Sequence, residues 1–167
     1  MVQTVEAYPC ATLEDKRKLL VYVYCCMGET SMEMGHLNDA TEYHEKAKKM
    51  AEESGFKDAK SRVYFNLGEV FHKKGEYQRA IDVWTEELPN VSSPVGSSLF
   101  NYAISICFLK LDNYMEGLEH GDMSLSASDR SGDKDIKLYA TTLFAISEGT
   151  FIIYDIIPWS IIRPQYN

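Results

Sequence analysis

The chain has 167 residues, 45% of them apolar and 12% aromatic, and a formal net charge of −8. That length and apolar content allow one domain with a sizeable core and exclude an intrinsically disordered chain. The acidic balance argues against nucleic acid or an anionic membrane surface as the primary partner.

Residues 1–12 read as a leader, and its opening, MVQTVEAYPC, has neither the basic region nor the apolar run of a secretory signal. Cys10, Cys25, Cys26 and Cys107 are therefore expected as reduced thiols in a cytoplasmic setting. No two of them have CxxC spacing, and the adjacent Cys25 and Cys26 must point to different sides of a helix. Thr12, with Asp15 three residues on, is the N-cap signature for a helix from about Leu13 to Met34. Leu20, Tyr24, Met27 and Ser31 mark its apolar side, with small Gly28 beside them, and Gly35 breaks it. Asn38 is positioned to cap a second helix that runs to Ser54 and stops at Gly55. Its inward residues are Ala40, Tyr43, Ala47 and Met50.

Residues 61–88 repeat this plan. Tyr64, Leu67 and Phe71 form one helical stripe, and Tyr77, Ile81 and Trp84 form the answering stripe after a turn at Gly75. An offset of 40 carries Gly28 onto Gly68, Gly35 onto Gly75 and Ala40 onto Ala80. Small residues at these places let two helices cross closely, and glycine ends the first helix in a left-handed conformation. A loop over residues 89–94 follows, then a helix over residues 99–111 capped by Ser97 or Ser98. At an offset of 37 from the second unit, Phe71 maps to Phe108, Gly75 to Asp112, Tyr77 to Tyr114 and Ala80 to Gly117. Gly117 and Gly121 inside the answering helix each cost about 1 kcal/mol against alanine, and close packing is their rationale. A seventh helix over residues 133–147 would open a fourth unit.

After residue 149 the pattern fails. Residues 150–167 are isoleucine-rich, interrupted by Pro158 and Pro164, and too short to span a membrane. Either the repeat is cut short there, or this irregular tail folds back to cap the last unit.

These landmarks (Gly28, Ala40, Leu67, Gly68, Phe71, Gly75, Tyr77, Ala80, Trp84, Phe108 and Tyr114) resemble the tetratricopeptide repeat. The resemblance implies an all-α solenoid of helical hairpins, a right-handed superhelix of about three and a half repeats over residues 13–149. The repeats would cover residues 13–55, 58–88 and 98–128, with a partial one at 133–149. It also implies that the first helix of each hairpin lines a partner-binding groove. The groove residues would be Tyr22, Cys25, Glu29 and Met32; Arg62, Phe65, Glu69 and His72; and Leu99, Tyr102, Ile106 and Leu109. Such a groove suits an amphipathic helix or extended segment bearing basic residues. Chaperone-binding members of the superfamily clamp a terminal carboxylate; of the corresponding positions only Asn66 matches, and Glu29 would repel that ligand.

The strings SRVYFNLGEVFHKKGEYQRAIDVWTEELP, SLFNYAISICFLKLDNY and GLEHGDMSLSAS resemble, more narrowly, the C-terminal repeats of the tetratricopeptide subunit of the outer dynein arm docking complex. That resemblance implies a non-catalytic scaffold on the axoneme of a cilium or flagellum. Its partners would be coiled-coil docking subunits and dynein arm components. The alternative is a cytosolic peptide-binding adaptor of the cell-polarity type. Nothing in the sequence carries an HExxH, a phosphate loop or a nucleophile elbow, and His36, His44, His72 and His120 have no cysteine at ligand spacing. The expectation is no enzyme, no metal and no cofactor.

Overall fold

The computed structural model describes residues 12–132. The expected seventh helix over residues 133–147 and the apolar tail over residues 150–167 lie outside that range. The described residues form six α-helices and a short 3₁₀ turn: α1 Leu13–Glu33, α2 Leu37–Ser54, α3 Lys57–Lys73, α4 Tyr77–Glu87, the turn Leu88–Asn90, α5 Pro94–Lys110 and α6 Tyr114–Ser131. They pair in chain order as three helical hairpins, and the described residues contain helices and turns but no strand. Residues up to Val91 make one compact unit holding two hairpins, and residues from Ser92 make a second holding the third.

Local chemistry explains the helix ends. Thr12 and Asp15 form a full capping box: the Thr12 hydroxyl accepts from the Asp15 N–H at 3.1 Å, and the Asp15 carboxylate accepts from the Thr12 N–H at 3.1 Å. The hairpin turns use a left-handed residue at Gly35 (φ 79°), Gly75 (φ 76°) and, in the third hairpin, Asp112 (φ 59°). The expected glycine-to-aspartate substitution therefore keeps the turn and adds backbone strain.

Two expected caps are corrected. Helix α2 begins from His36, without a side-chain cap, and Asn38 lies inside the helix. The tight turn at Gly35 brings the backbone of His36 onto the Ser31 carbonyl at 2.8 Å, so the helix starts at once. Helix α5 begins at Pro94 rather than Leu99, and its cap is Ser93, whose hydroxyl accepts from the Gly96 N–H at 3.3 Å. Proline is tolerated in a first turn because its missing N–H is an orphan there anyway. Ser98 is consequently an interior residue.

The core of the first unit gathers Val21 and Cys25 from α1, Ala47 and Ala51 from α2, and Ala59 and Val63 from α3, with Tyr24, Met50 and Phe56 around it. Helix α2 thus contributes alanines where helices on both sides press close. Two pairs of positions recur through the three hairpins with changed chemistry. The crossing point is Gly28 with His44, then Gly68 with Trp84, and the offset of 37 puts Ser105 and Gly121 at the same positions in the third hairpin. A Cβ on Gly28 or Gly68 would come within 3.0 Å of the ring opposite, nearer than side chains approach. The third hairpin carries small residues on both helices here, serine on the first and glycine on the second. Near the far end the pairs are Val21 with Ala47, Ser61 with Glu87, and Ser98 with Ser124. The last two are hydrogen-bonded: Ser61 Oγ donates to Glu87 Oε1 at 2.9 Å, and Ser98 Oγ donates to the Ser124 carbonyl at 2.9 Å. Ser124 Oγ in turn donates to the Ser98 carbonyl at 2.9 Å. Gly117 lets Leu109 pack against α6, and Ser105 Oγ donates to its carbonyl at 2.5 Å.

Trp84 is buried, as expected, and its packing lies inside the second hairpin: across Gly68, with the ring centroid 6.0 Å from that of Phe65. Its Nε1–H donates to the Phe65 carbonyl at 3.0 Å.

Candidate protein-interaction face

Helices α1 and α3 are the first helices of neighbouring hairpins, and the spacing of Tyr22, Glu29, Arg62, Phe65, Glu69 and His72 sets these residues along them. A charge link joins the two. Glu29 Oε1 accepts from Arg62 Nε at 3.1 Å, Arg62 Nη2 at 2.7 Å and Asn66 Nδ2 at 2.6 Å. Glu29 is half-buried and Arg62 exposed. The carboxylate holds the guanidinium even more firmly charged than usual, through its hydrogen bond and its charge.

The sequence reading counted Glu29 as an open carboxylate. It is neutralised within the chain instead, and Asn66, the one residue matching the chaperone clamp, is engaged in the same link. Glu69 differs. Burial pushes its carboxyl above the ordinary range, and the charge of Lys73 offsets only part of that.

The aromatic members are held by their own packing. Tyr22 is 40% exposed and meets Phe56 edge-on, with centroids 5.5 Å apart. Phe65 is half-buried against Trp84, and His72 stacks obliquely on Tyr77 at 5.6 Å. Cys25 is not on the face: it belongs to the core, and burial pushes its thiol up to about 11. Its neighbour Cys26 is exposed, as the helical period requires. In the second unit Tyr102, Ile106 and Leu109 are half-buried on α5, and Leu99 is exposed. Phe108 stacks on His120 at 5.6 Å, whereas Tyr114 is 59% exposed, its hydroxyl donating to Asp112 Oδ1 at 2.9 Å. The tyrosine landmark of the second hairpin is therefore not a packing residue in the third.

Two buried residues with ionisable side chains, His44 and Glu87, are not marked by the sequence pattern. His44 is fully buried, and burial pulls its imidazole down to about 4. Glu87 is 1% exposed and is satisfied by Lys60 at 2.9 Å, Ser61 at 2.9 Å and Asn90 at 3.3 Å. Applying the 40-residue offset to Trp84 and to Ala47 would have found both. A second network surrounds the Tyr64 hydroxyl, which lies 2.6 Å from Glu52 and 2.8 Å from Glu86, with Lys48 above its ring at 4.4 Å. Its hydroxyl is pushed up by burial and by both carboxylates. Among the described residues no group of histidine, cysteine and carboxylate side chains is arranged to hold a metal ion, and no helix is long and apolar enough to cross a membrane.

Paired helices, left-handed turns and small crossing residues define a helical-repeat interaction module. Residues 19–88, which span most of α1 to the end of α4, match the tetratricopeptide repeat family model. The chain as a whole resembles outer dynein arm-docking complex subunit 4. It is 30% identical to that protein of Danio rerio over 148 residues, 89% of this chain and 30% of the relative. The Bos taurus protein is 33% identical and the Homo sapiens protein 32% identical, each over 131 residues and 78% of this chain. Those two alignments cover 19% and 20% of the relatives, so the chain spans less than a third of the length of the curated proteins it matches.

Proposed function

We propose that this chain is a non-catalytic scaffold that helps dock outer dynein arms on axonemal doublet microtubules, gripping a coiled-coil partner with the α1–α3 face. Its place would then be the cytoskeleton of a cilium or flagellum, reached from the cytoplasm. The observation that carries the reading is the similarity to docking-complex subunit 4, which extends over 78–89% of the chain.

The geometry of the face supports the finer part. The Glu29–Arg62–Asn66 link fixes α1 against α3 before any partner arrives, which lowers the ordering cost of binding. Tyr22 and Phe65 offer aromatic surface for an apolar stripe. A partner cation reaching Glu69 would favour its ionised form and so gain from its half-buried setting. A coiled-coil surface, with lysine or arginine beside its apolar seam, has this chemistry.

Sedimentation with axonemes tests the proposal. The chain should remain with salt-washed axonemes and leave when the dynein arms and their docking complexes are extracted. Recovery in the soluble fraction throughout would instead favour a cytosolic adaptor.

A further inference from the structure

Helix α6 buries Gly117, Gly121, Ser124, Ala127 and Ser128. The helical period then sends Met115, Glu119 and Asp122 to the opposite side, flanked by Leu118 and Met123. Met115 is 76% exposed and Met123 is 42% exposed. The earlier second helices show how unusual this is. The position of Met115 is Asn38 in α2 and Gln78 in α4; that of Met123 is Lys46 in α2 and Glu86 in α4. The first two hairpins have polar residues at these positions, and the third has methionines.

The charges are as one-sided as the apolar residues. Glu116, Glu119 and Asp122 line a shallow concavity of about 480 Å³ together with Met115 and Leu118. From Tyr114 to Asp129 there is no lysine or arginine, whereas α2 carries Lys46, Lys48 and Lys49 and α4 carries Arg79. His120 is turned away from the acids: its ring bonds to Asn101 at 2.9 Å and stacks on Phe108, and burial lowers its pKa although Glu119 pulls it up.

We propose that the outer face of α6 is a second docking surface, and that its occupant is an amphipathic helix of a partner protein with lysine or arginine flanking its apolar stripe. The methionines supply adaptable apolar contact, and the three carboxylates select the charge of the flanks. The proposal does not depend on the function proposed for the α1–α3 face.

The probe is a synthetic amphipathic helix of leucine, alanine and lysine, titrated by fluorescence anisotropy against the full chain. A leucine, alanine and glutamate counterpart is the comparison. The lysine helix should bind, more weakly as salt rises, and the glutamate helix should not. Met115→Asn with Met123→Lys, the residues of the first hairpin at the same positions, should weaken binding about tenfold or more with unchanged helical circular dichroism. Glu119→Gln with Asp122→Asn should weaken it and flatten its salt dependence, and Lys46→Gln on α2 should leave it unchanged. Equal binding of both helices, or indifference to the α6 substitutions, overturns the proposal. Concentration-dependent dimerisation relieved by the methionine substitutions would assign the face to a second copy of this chain, and would overturn it too.

Discussion

The imidazole of His44 sits against Gly28 where, one repeat later, the indole of Trp84 sits against Gly68. The indole gives its N–H to the Phe65 carbonyl; neither nitrogen of His44 has a hydrogen-bond partner among the described residues. Burial is the main cause of the depressed imidazole pKa, about 4 against an ordinary 6.5, with Glu29 pulling it up and Arg62 pushing it down. Between those values the unfolded state binds the proton and the folded state does not. Stability is therefore lost as pH falls from about 6.5 towards 4, by about 3 kcal/mol in all. Thermal melts at pH 7 and pH 5 should show the loss in the wild-type chain, and His44→Phe should reduce it. An unchanged pH dependence in the variant would show that other groups cause it.

Crossing-point packing predicts a coupled pair. Trp84→Ala should cost about 3–5 kcal/mol because it empties a buried site and frees the Phe65 carbonyl. Gly68→Ala should cost about 1–3 kcal/mol because its methyl overlaps the indole. The double substitution should cost less than the two singles added, since the new methyl enters the space the indole leaves. Urea unfolding measures all three, and a Trp84→Ala loss under about 1 kcal/mol would contradict the repeat register.

The turn of the third hairpin is strained where the first two are not. Asp112 holds φ at 59°, a conformation that glycine adopts freely at Gly35 and Gly75. Asp112→Gly should raise stability by about 0.5–1 kcal/mol, less whatever the exposed Tyr114–Asp112 bond contributes. Differential scanning calorimetry can read a shift of that size. A lower melting temperature in the variant would mean that the aspartate side chain outweighs the backbone strain.

Much of this was legible in the sequence because the repeat encodes it twice. Glycine turns and small crossing residues recur at one offset, with Tyr24 and Met27 answering Tyr64 and Leu67, so each unit checks the other. Caps were less legible. Asn38 and Ser97 are good capping residues by type, but the turn at Gly35 and the proline at position 94 fix where those helices begin. Polar pairing was legible least. A glutamate on a helix reads as solvated surface until the fold brings Arg62 to Glu29, or Lys60 to Glu87. Those contacts span neighbouring hairpins or the two ends of one hairpin, and no local pattern announces them.

Glu87 supplies a prediction of that kind. Its buried carboxylate ties the end of α4 and the following turn to the start of α3 through Lys60, Ser61 and Asn90. Glu87→Ala should cost about 1–3 kcal/mol, the cost of leaving buried partners unsatisfied and less than that of breaking a fully buried pair, because Lys60 is partly exposed and can turn to water. Glu87→Gln keeps the shape and should cost less. Equal losses in the two variants would reduce the residue to a packing role.

The central claim, that the α1–α3 face grips a coiled-coil docking partner, is tested most directly by affinity capture from ciliated cells. The wild-type chain is compared with a chain carrying Tyr22→Glu and Glu69→Lys, after both are shown to melt at the same temperature. Recovery of coiled-coil docking proteins and dynein chains by the wild type alone is the predicted result. Equal recovery by both chains would contradict the account.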